Sequence, residues 1–141
     1  MNEGFYIDTC IWLNLFKKEG DIKKGKPYWQ IARDFLNYSR EKNNALYYSG
    51  FIINEIKHNL NNKQLFDKKT DFLKKLCKYI SATEEDYSFA RNLEQRGKLS
   101  FYDYIHIALR KRSKVILVTR DKLLLETGKK YVKTERPEDL F

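Results

Sequence analysis

Cysteine and proline are both scarce in this chain of 141 residues, with two of each. Cys10 and Cys77 stand far apart and form no CxxC pair, which excludes a zinc-binding cysteine pattern and a disulfide framework. Both read as reduced thiols, and Cys77 falls on an apolar helical stripe that marks it as core. With only Pro27 and Pro137, no Pro/Gly-rich linker breaks the chain. Internal repeats and low-complexity tracts are absent too, so residues 1–141 are expected to form one domain. Long hydrophobic runs are also missing. The longest nearly apolar stretch, Ala45–Ile53, contains Ser49 and Gly50. It falls far short of the roughly 18 apolar residues of a membrane span. The first residues show no basic-then-apolar signal. These absences predict a cytoplasmic protein.

What is present is a hydrophobic fraction of 42% and an aromatic fraction of 15%, which argue against disorder. A domain this long buries roughly 68–70% of the surface its unfolded chain exposes, enough to fold without staples. Net charge is +9, from 28 Lys+Arg against 19 Asp+Glu. Such an excess favours a polyanionic partner. The basic residues gather in Lys17–Lys26, Lys57–Lys78, Arg110–Lys114 and Lys129–Arg136. Each group, taken alone, also reads as a solvated helix face.

Phe5-Tyr6-Ile7 reads as a short buried strand followed by a helix through about Lys18, then a loop at Lys23–Pro27. Ile31, Phe35 and Tyr38 are spaced for a helix over Tyr28–Glu41. Ala45–Tyr48 reads as a strand and Phe51–Leu60 as a helix. Leu65–Tyr79 is predicted helical, with Leu65, Phe72, Leu73, Leu76 and Cys77 on one stripe. Tyr79–Ala82 is a candidate strand. Thr83 with Asp86 resembles a capping box before a helix at Tyr87–Arg96, which Gly97 ends. Ser100 opens another helix with Phe101, Tyr104, Ile105, Ala108 and Leu109 on its buried face. Val115–Val118 is a continuous apolar run and reads as a buried strand. A short helix at Lys122–Glu126 and a strand at Tyr131–Thr134 complete the pattern. Strands alternating with helices imply a parallel sheet covered on both faces, an α/β fold. In such sheets ligands bind beyond the carboxyl ends of the strands.

That rule makes the acids informative. Asp8 directly follows the first strand, and Asp121 follows Val115–Val118 in Val-Thr-Arg-Asp. Glu55 lies early in the helix after the second strand. Asp103 lies in the first turn of the helix that feeds Val115–Val118, so it starts at the same edge. Each acid also has a local reading: Asp8 and Asp121 as helix caps, Asp103 in a Ser100–Asp103 capping box, Glu55 as a solvent-facing residue. Capping alone gives no reason for all four to converge on one edge. Asp103 is further expected to share a stripe with His106, Ile107 and Arg110, off the buried face. An acid, an imidazole and a guanidinium together suit a wet site that holds phosphate. Four carboxylates in one cleft repel each other and need a cation, and oxygen-only ligation suits Mg²⁺ or Mn²⁺. One or two such ions lower the pKa of a bound water and clamp the oxygens of a phosphodiester. Basic residues, with Arg110, His106 and Arg120 nearest the acids, are expected to hold a nucleic acid by its phosphates.

Asp8-Thr9 after a hydrophobic strand, Asn54-Glu55-Ile56 after the second, Phe-Tyr-Asp103-Tyr-Ile-His-Ile-Ala, and Leu-Val-Thr119-Arg-Asp121 occur in that order. The set spans nearly the whole chain and resembles the PIN-domain nucleases, especially the VapC-type toxins of bacterial and archaeal toxin–antitoxin pairs. The resemblance implies an α/β/α sandwich with a central, largely parallel five-stranded sheet. It implies a Mg²⁺- or Mn²⁺-dependent endoribonuclease acting on single-stranded or structured RNA and leaving 5′-phosphate and 3′-hydroxyl ends. Asp8, Glu55, Asp103 and Asp121 match the family's acidic metal ligands. Thr119 matches a hydroxyl that supports the fourth acid or a metal-bound water. A protein antitoxin and a homodimer are the partners so implied. One departure is visible: many relatives carry Asn or Ser where Cys10 stands.

Two other enzyme classes place an Asp after strand one. Haloacid-dehalogenase-like phosphatases need a second Asp two residues on, where Cys10 stands, and receiver domains need a paired acid that is missing. The non-enzyme alternative is a catalytically silent PIN-like module that binds RNA or protein.

Overall fold

The computed structural model describes residues 4–18, 22–23 and 25–141. Phe5–Ile7 (β1) leads into Thr9–Lys17 (α1), whose final turn closes at Lys18 in the left-handed region. Ile22–Lys23 (β2) and Lys26–Pro27 (β3) pair antiparallel in a small hairpin. The loop expected at Lys23–Pro27 is therefore a hairpin turn, with Gly25 at φ +76°. Lys24 lies outside the described residues.

Tyr28–Glu41 (α2) spans the range its apolar spacing predicts, and Leu46–Tyr48 (β4) and Gly50–Asn59 (α3) follow. The helix expected over Leu65–Tyr79 runs instead from Lys63 to Leu76 (α4) and stops at Cys77, which is extended. Beyond it Lys78–Tyr79 (β5) pairs parallel with β4, and Ile80 N–H donates to the Tyr48 carbonyl at 2.8 Å. Sheet pairing, a tertiary interaction, overrides the helical pattern there. Phe72, expected on the buried stripe, is 44% exposed, while Leu73 is fully buried. The Thr83–Asp86 capping box is formed in both directions and starts Glu84–Glu94 (α5). Gly97 follows this helix for want of space: a Cβ there would collide with the Tyr104 hydroxyl. Phe101–Ser113 (α6), Ile116–Val118 (β6), Lys122–Gly128 (α7), Thr134–Glu135 (β7) and a single 3-10 turn at Pro137–Asp139 complete the fold.

The five-stranded sheet has the order β5-β4-β1-β6-β7, and every neighbouring pair is parallel. Successive residues of a strand point to opposite faces. Phe5 accordingly meets Phe35 of α2, ring centroids 5.1 Å apart, and Tyr6 meets His106 of α6 at 5.4 Å. The sheet is thus covered on both faces, and its three central strands are short and largely apolar. Burying each large apolar side chain contributes about 1.5–3 kcal/mol. Because the strands run in register, Asp8, Ser49 and Thr119 emerge together at one carboxyl edge. No helix among the described residues is long and apolar enough to cross a membrane.

Candidate active site

Asp8 sits where β1 ends, its amide bound to the Val118 carbonyl at 2.9 Å. The residue is 6% exposed and makes no side-chain cap to α1. Its Oδ2 instead accepts the Thr119 hydroxyl at 2.8 Å and the Cys10 thiol at 3.2 Å. The Thr119 hydroxyl also accepts the Asp121 amide at 3.1 Å. One buried oxygen therefore links the loop of the first acid to that of the fourth. Cys10 joins this link, since its sulfur also accepts the Arg120 amide at 3.4 Å. Burial, then the charge of Asp8, pushes the Cys10 thiol far above its ordinary pKa, so it stays protonated and unreactive.

Glu55 faces the same edge from α3. Its Oε1 accepts the Thr9 hydroxyl at 3.2 Å and lies 2.6 Å from His106 Nε2. Behind His106, Nδ1 is 2.7 Å from the Tyr6 hydroxyl, which is 2.7 Å from Ser49 Oγ. A buried chain Ser49–Tyr6–His106–Glu55 thus ends on a half-exposed carboxylate. Burial opposes charge on His106, but the hydrogen bond and charge of Glu55, with Asp8 and Asp103 behind it, hold its pKa above the ordinary value. Ligating atoms of Asp8, Glu55 and His106 all lie within 4.8 Å of one another.

Asp103 occupies the first turn of α6. The helix is capped by Ser100, whose hydroxyl accepts the Asp103 amide at 3.2 Å. Burial first, then the charge of Asp8, with Asp121 adding, raises the Asp103 carboxyl above the ordinary aspartate value. Asp8 is raised by burial and by Glu55, against the lowering pull of His106 and Thr119. These carboxylates therefore feel one another. Asp121 does cap α7, its Oδ1 accepting the Leu124 amide at 2.9 Å, while the residue remains exposed.

Three expectations change. The stripe below Asp103 is not wet: His106 and Ile107 are fully buried. Both His106 nitrogens face protein partners, so the imidazole has no free edge for a phosphate. Arg120 makes a bidentate pair with Glu138 at 2.7 and 2.8 Å and lies 3.8 Å over the Tyr28 ring. With its side chain only 11% exposed, it ties the C-terminal turn to the loop rather than reaching for solvent. Arg110 is half-buried, and its Nε finds no hydrogen-bond partner. Tyr6 and Ser49 were not singled out from sequence, and Thr9 only as the neighbour of Asp8, with no role given. The signal for Tyr6 was a hydroxyl inside an apolar strand, which when buried demands a partner.

A family description, PIN domain, matches residues 5–130. The chain belongs to the PIN-domain family. Among solved structures this PIN domain resembles VapBC2 of Rickettsia felis bound to a DNA fragment from its promoter, with TM-score 0.70 and 15% identity. That match covers 94% of this chain and 97% of the other. It also resembles VapC20 of Mycobacterium tuberculosis, a sarcin–ricin loop cleaving toxin, with TM-score 0.69 and 16% identity over 89% of this chain and 95% of that one. FitAcB of Neisseria gonorrhoeae matches at TM-score 0.66 and 14% identity, over 96% and 99%. Against curated protein sequences nothing matches significantly. At these identities the neighbours establish that the PIN domain shares their fold.

Proposed function

We propose that this PIN domain is a Mg²⁺- or Mn²⁺-dependent endoribonuclease and the toxin of a toxin–antitoxin pair. The reading is supported by Asp8 and Glu55, whose carboxylate oxygens lie with a His106 nitrogen within 4.8 Å of one another, and by Asp103, whose carboxyl is raised by burial and by the charges of Asp8 and Asp121. The donor set fits a hard divalent cation. The donors are carboxylates, and the one nearby imidazole nitrogen is already engaged by Glu55. Asp8, Glu55, Asp103 and Asp121 would hold the ion. When bound, a divalent cation supplies an activated water and neutralises charge on the phosphodiester. The chain's own part is positioning. Thr119 and Cys10 orient Asp8, Thr9 and His106 orient Glu55, and Ser100 fixes the turn that carries Asp103. Cytoplasmic residence, a protein antitoxin and a homodimer belong to the same reading; VapBC2 is itself described in complex with promoter DNA.

The test is incubation of purified protein with end-labelled RNA in Mg²⁺, Mn²⁺ and EDTA. Cleavage with either metal, leaving 5′-phosphate and 3′-hydroxyl ends, and none in EDTA is expected. Activity that survives thorough chelation would overturn the metal mechanism. RNA binding without cleavage in either metal would identify a catalytically silent module.

A further inference from the structure

Beside the carboxylates lies a small cleft that the metal chemistry does not use. Its aromatic walls are Phe51, Tyr79 and Tyr87, its polar lining includes Asn54 and Ser81, and its volume is about 300 Å³. Asn54 immediately precedes Glu55, so the cleft and the acidic site open from neighbouring residues of one helix. Gly50 lies at the entrance, where a Cβ would be in ordinary contact with the Tyr79 hydroxyl at 3.7 Å.

The aromatic rings form a braced set. Phe51 packs edge-on against Tyr87 and Tyr102, with centroids 6.0 and 5.5 Å apart, and Tyr87 stacks on Phe101 at 6.1 Å. Tyr102 adjoins Asp103, so this set joins the turn of Glu55 to the turn of Asp103. Tyr79 is held edge-on by Tyr48 at 5.4 Å yet remains 59% exposed. Its ring is therefore fixed on one side and open on the other, where a flat group can stack.

We propose that this cleft is a nucleobase subsite, seating an unpaired base of the RNA whose neighbouring phosphate lies at the carboxylates. The inference rests on the nuclease reading above and adds a place on the protein where one base beside the cut is held. Three features favour a base over a protein side chain. Flat aromatic walls suit any base face. Asn54 and the hydroxyl of Ser81 offer donors and acceptors to a base edge, while the Ser81 carbonyl is held by Arg112 at 2.6 Å. A chain of net charge +9 draws a polyanion, which would carry the base to the cleft.

The experiment measures binding apart from cleavage. A short single-stranded RNA carrying one 2-aminopurine is titrated into wild-type protein, Tyr79→Ala and Tyr79→Phe, in EDTA so that it stays intact. Tyr79 is largely exposed, so both variants are expected to fold, which a melting curve verifies. Wild type and Tyr79→Phe should quench the 2-aminopurine by stacking. Tyr79→Ala should lose the quench and bind roughly tenfold more weakly. Equal affinity and quench in all three proteins would overturn the subsite while leaving the nuclease reading intact. No RNA binding by wild type would overturn the subsite, while the nuclease reading stands or falls separately on cleavage in Mg²⁺ or Mn²⁺. If Tyr79→Ala left binding unchanged but turned a dimer into a monomer on sedimentation, the patch would be a contact between copies, and the subsite would be overturned.

Discussion

The Tyr6 hydroxyl and His106 Nδ1 meet at 2.7 Å across 100 positions of sequence, and the other face of that imidazole holds Glu55. A carboxylate at the edge of the site is thereby aimed by a tyrosine in the central strand. Groups that orient a ligating side chain typically change metal affinity by ten- to a hundredfold.

Tyr6→Phe keeps the ring and removes the hydroxyl. We expect Mn²⁺ affinity, measured by isothermal titration, to fall about tenfold. Leaving His106 Nδ1 and Ser49 without this partner should also cost about 1–3 kcal/mol of stability. Unchanged Mn²⁺ affinity in a folded variant would show that Glu55 needs no such support.

Asp103→Asn separates a carboxylate cluster from a cap. The Asn amide still bonds to Ser100, so the cap survives, while a charge facing Asp8 and Asp121 disappears. In EDTA at neutral pH the variant should melt a few degrees higher than wild type. Its gain from added Mn²⁺ should shrink, because fewer ligands bind the ion in the folded state. A lower melting temperature with an undiminished Mn²⁺ gain would contradict the cluster.

Stability in EDTA should decline as pH rises above the ordinary carboxylate range. Asp8 and Asp103 have raised folded pKa values, so the folded chain holds their protons more tightly, and stability is lost as pH climbs through those values. His106 is raised as well; its contribution is present below its unfolded value and lost as pH climbs through the folded one. Glu138 acts oppositely. Burial raises its pKa, but Arg120 outweighs that and depresses it, so its contribution is lost as pH falls through the folded value. Maximum stability without metal should therefore lie on the acid side of neutrality, and saturating Mn²⁺ should move it upward. Thermal melts across pH, with EDTA and with Mn²⁺, would reveal it; a maximum at alkaline pH in EDTA would refute the assignment.

Arg120→Ala should act on the fold. The change removes a bidentate partner from Glu138, whose side chain is 3% exposed, and uncovers Tyr28. Breaking a buried pair from one side costs about 3–5 kcal/mol. Arg120→Lys should rescue little, since an ammonium cannot fork to both carboxylate oxygens. Urea unfolding measures the loss. Wild-type stability with sharply weaker RNA binding would return Arg120 to the nucleic-acid surface.

Much of the architecture was legible beforehand because it is local. α2 follows from apolar spacing, the Thr83–Asp86 box from its own residues, and β1 and β6 from short apolar runs. Elements that depend on partners were displaced. The end of α4 became β5 because β4 offers a pairing edge, and the Lys23–Pro27 segment became a hairpin by pairing with itself. Gly97 was read as a helix terminator, yet the position needs glycine because Tyr104 fills the adjoining space.

The sequence by itself determined the alternation of strands and helices and the places of Asp8, Glu55, Asp103 and Asp121 after strands or at helix starts. Parallel topology then implies one shared edge. Only the tertiary structure decided what each neighbouring side chain does there. His106 and Arg120 looked like phosphate contacts as charges on a list of residues; burial turned one into a support for Glu55 and the other into a clamp on Glu138. Cys10 looked like a departure, but the meeting of the β1 and β6 loops makes its sulfur a link between Asp8 and Arg120. The physical reason is that periodicity records which face a residue takes, while hydrogen-bond partners come from strands and helices far apart in the chain, whose approach no local pattern encodes.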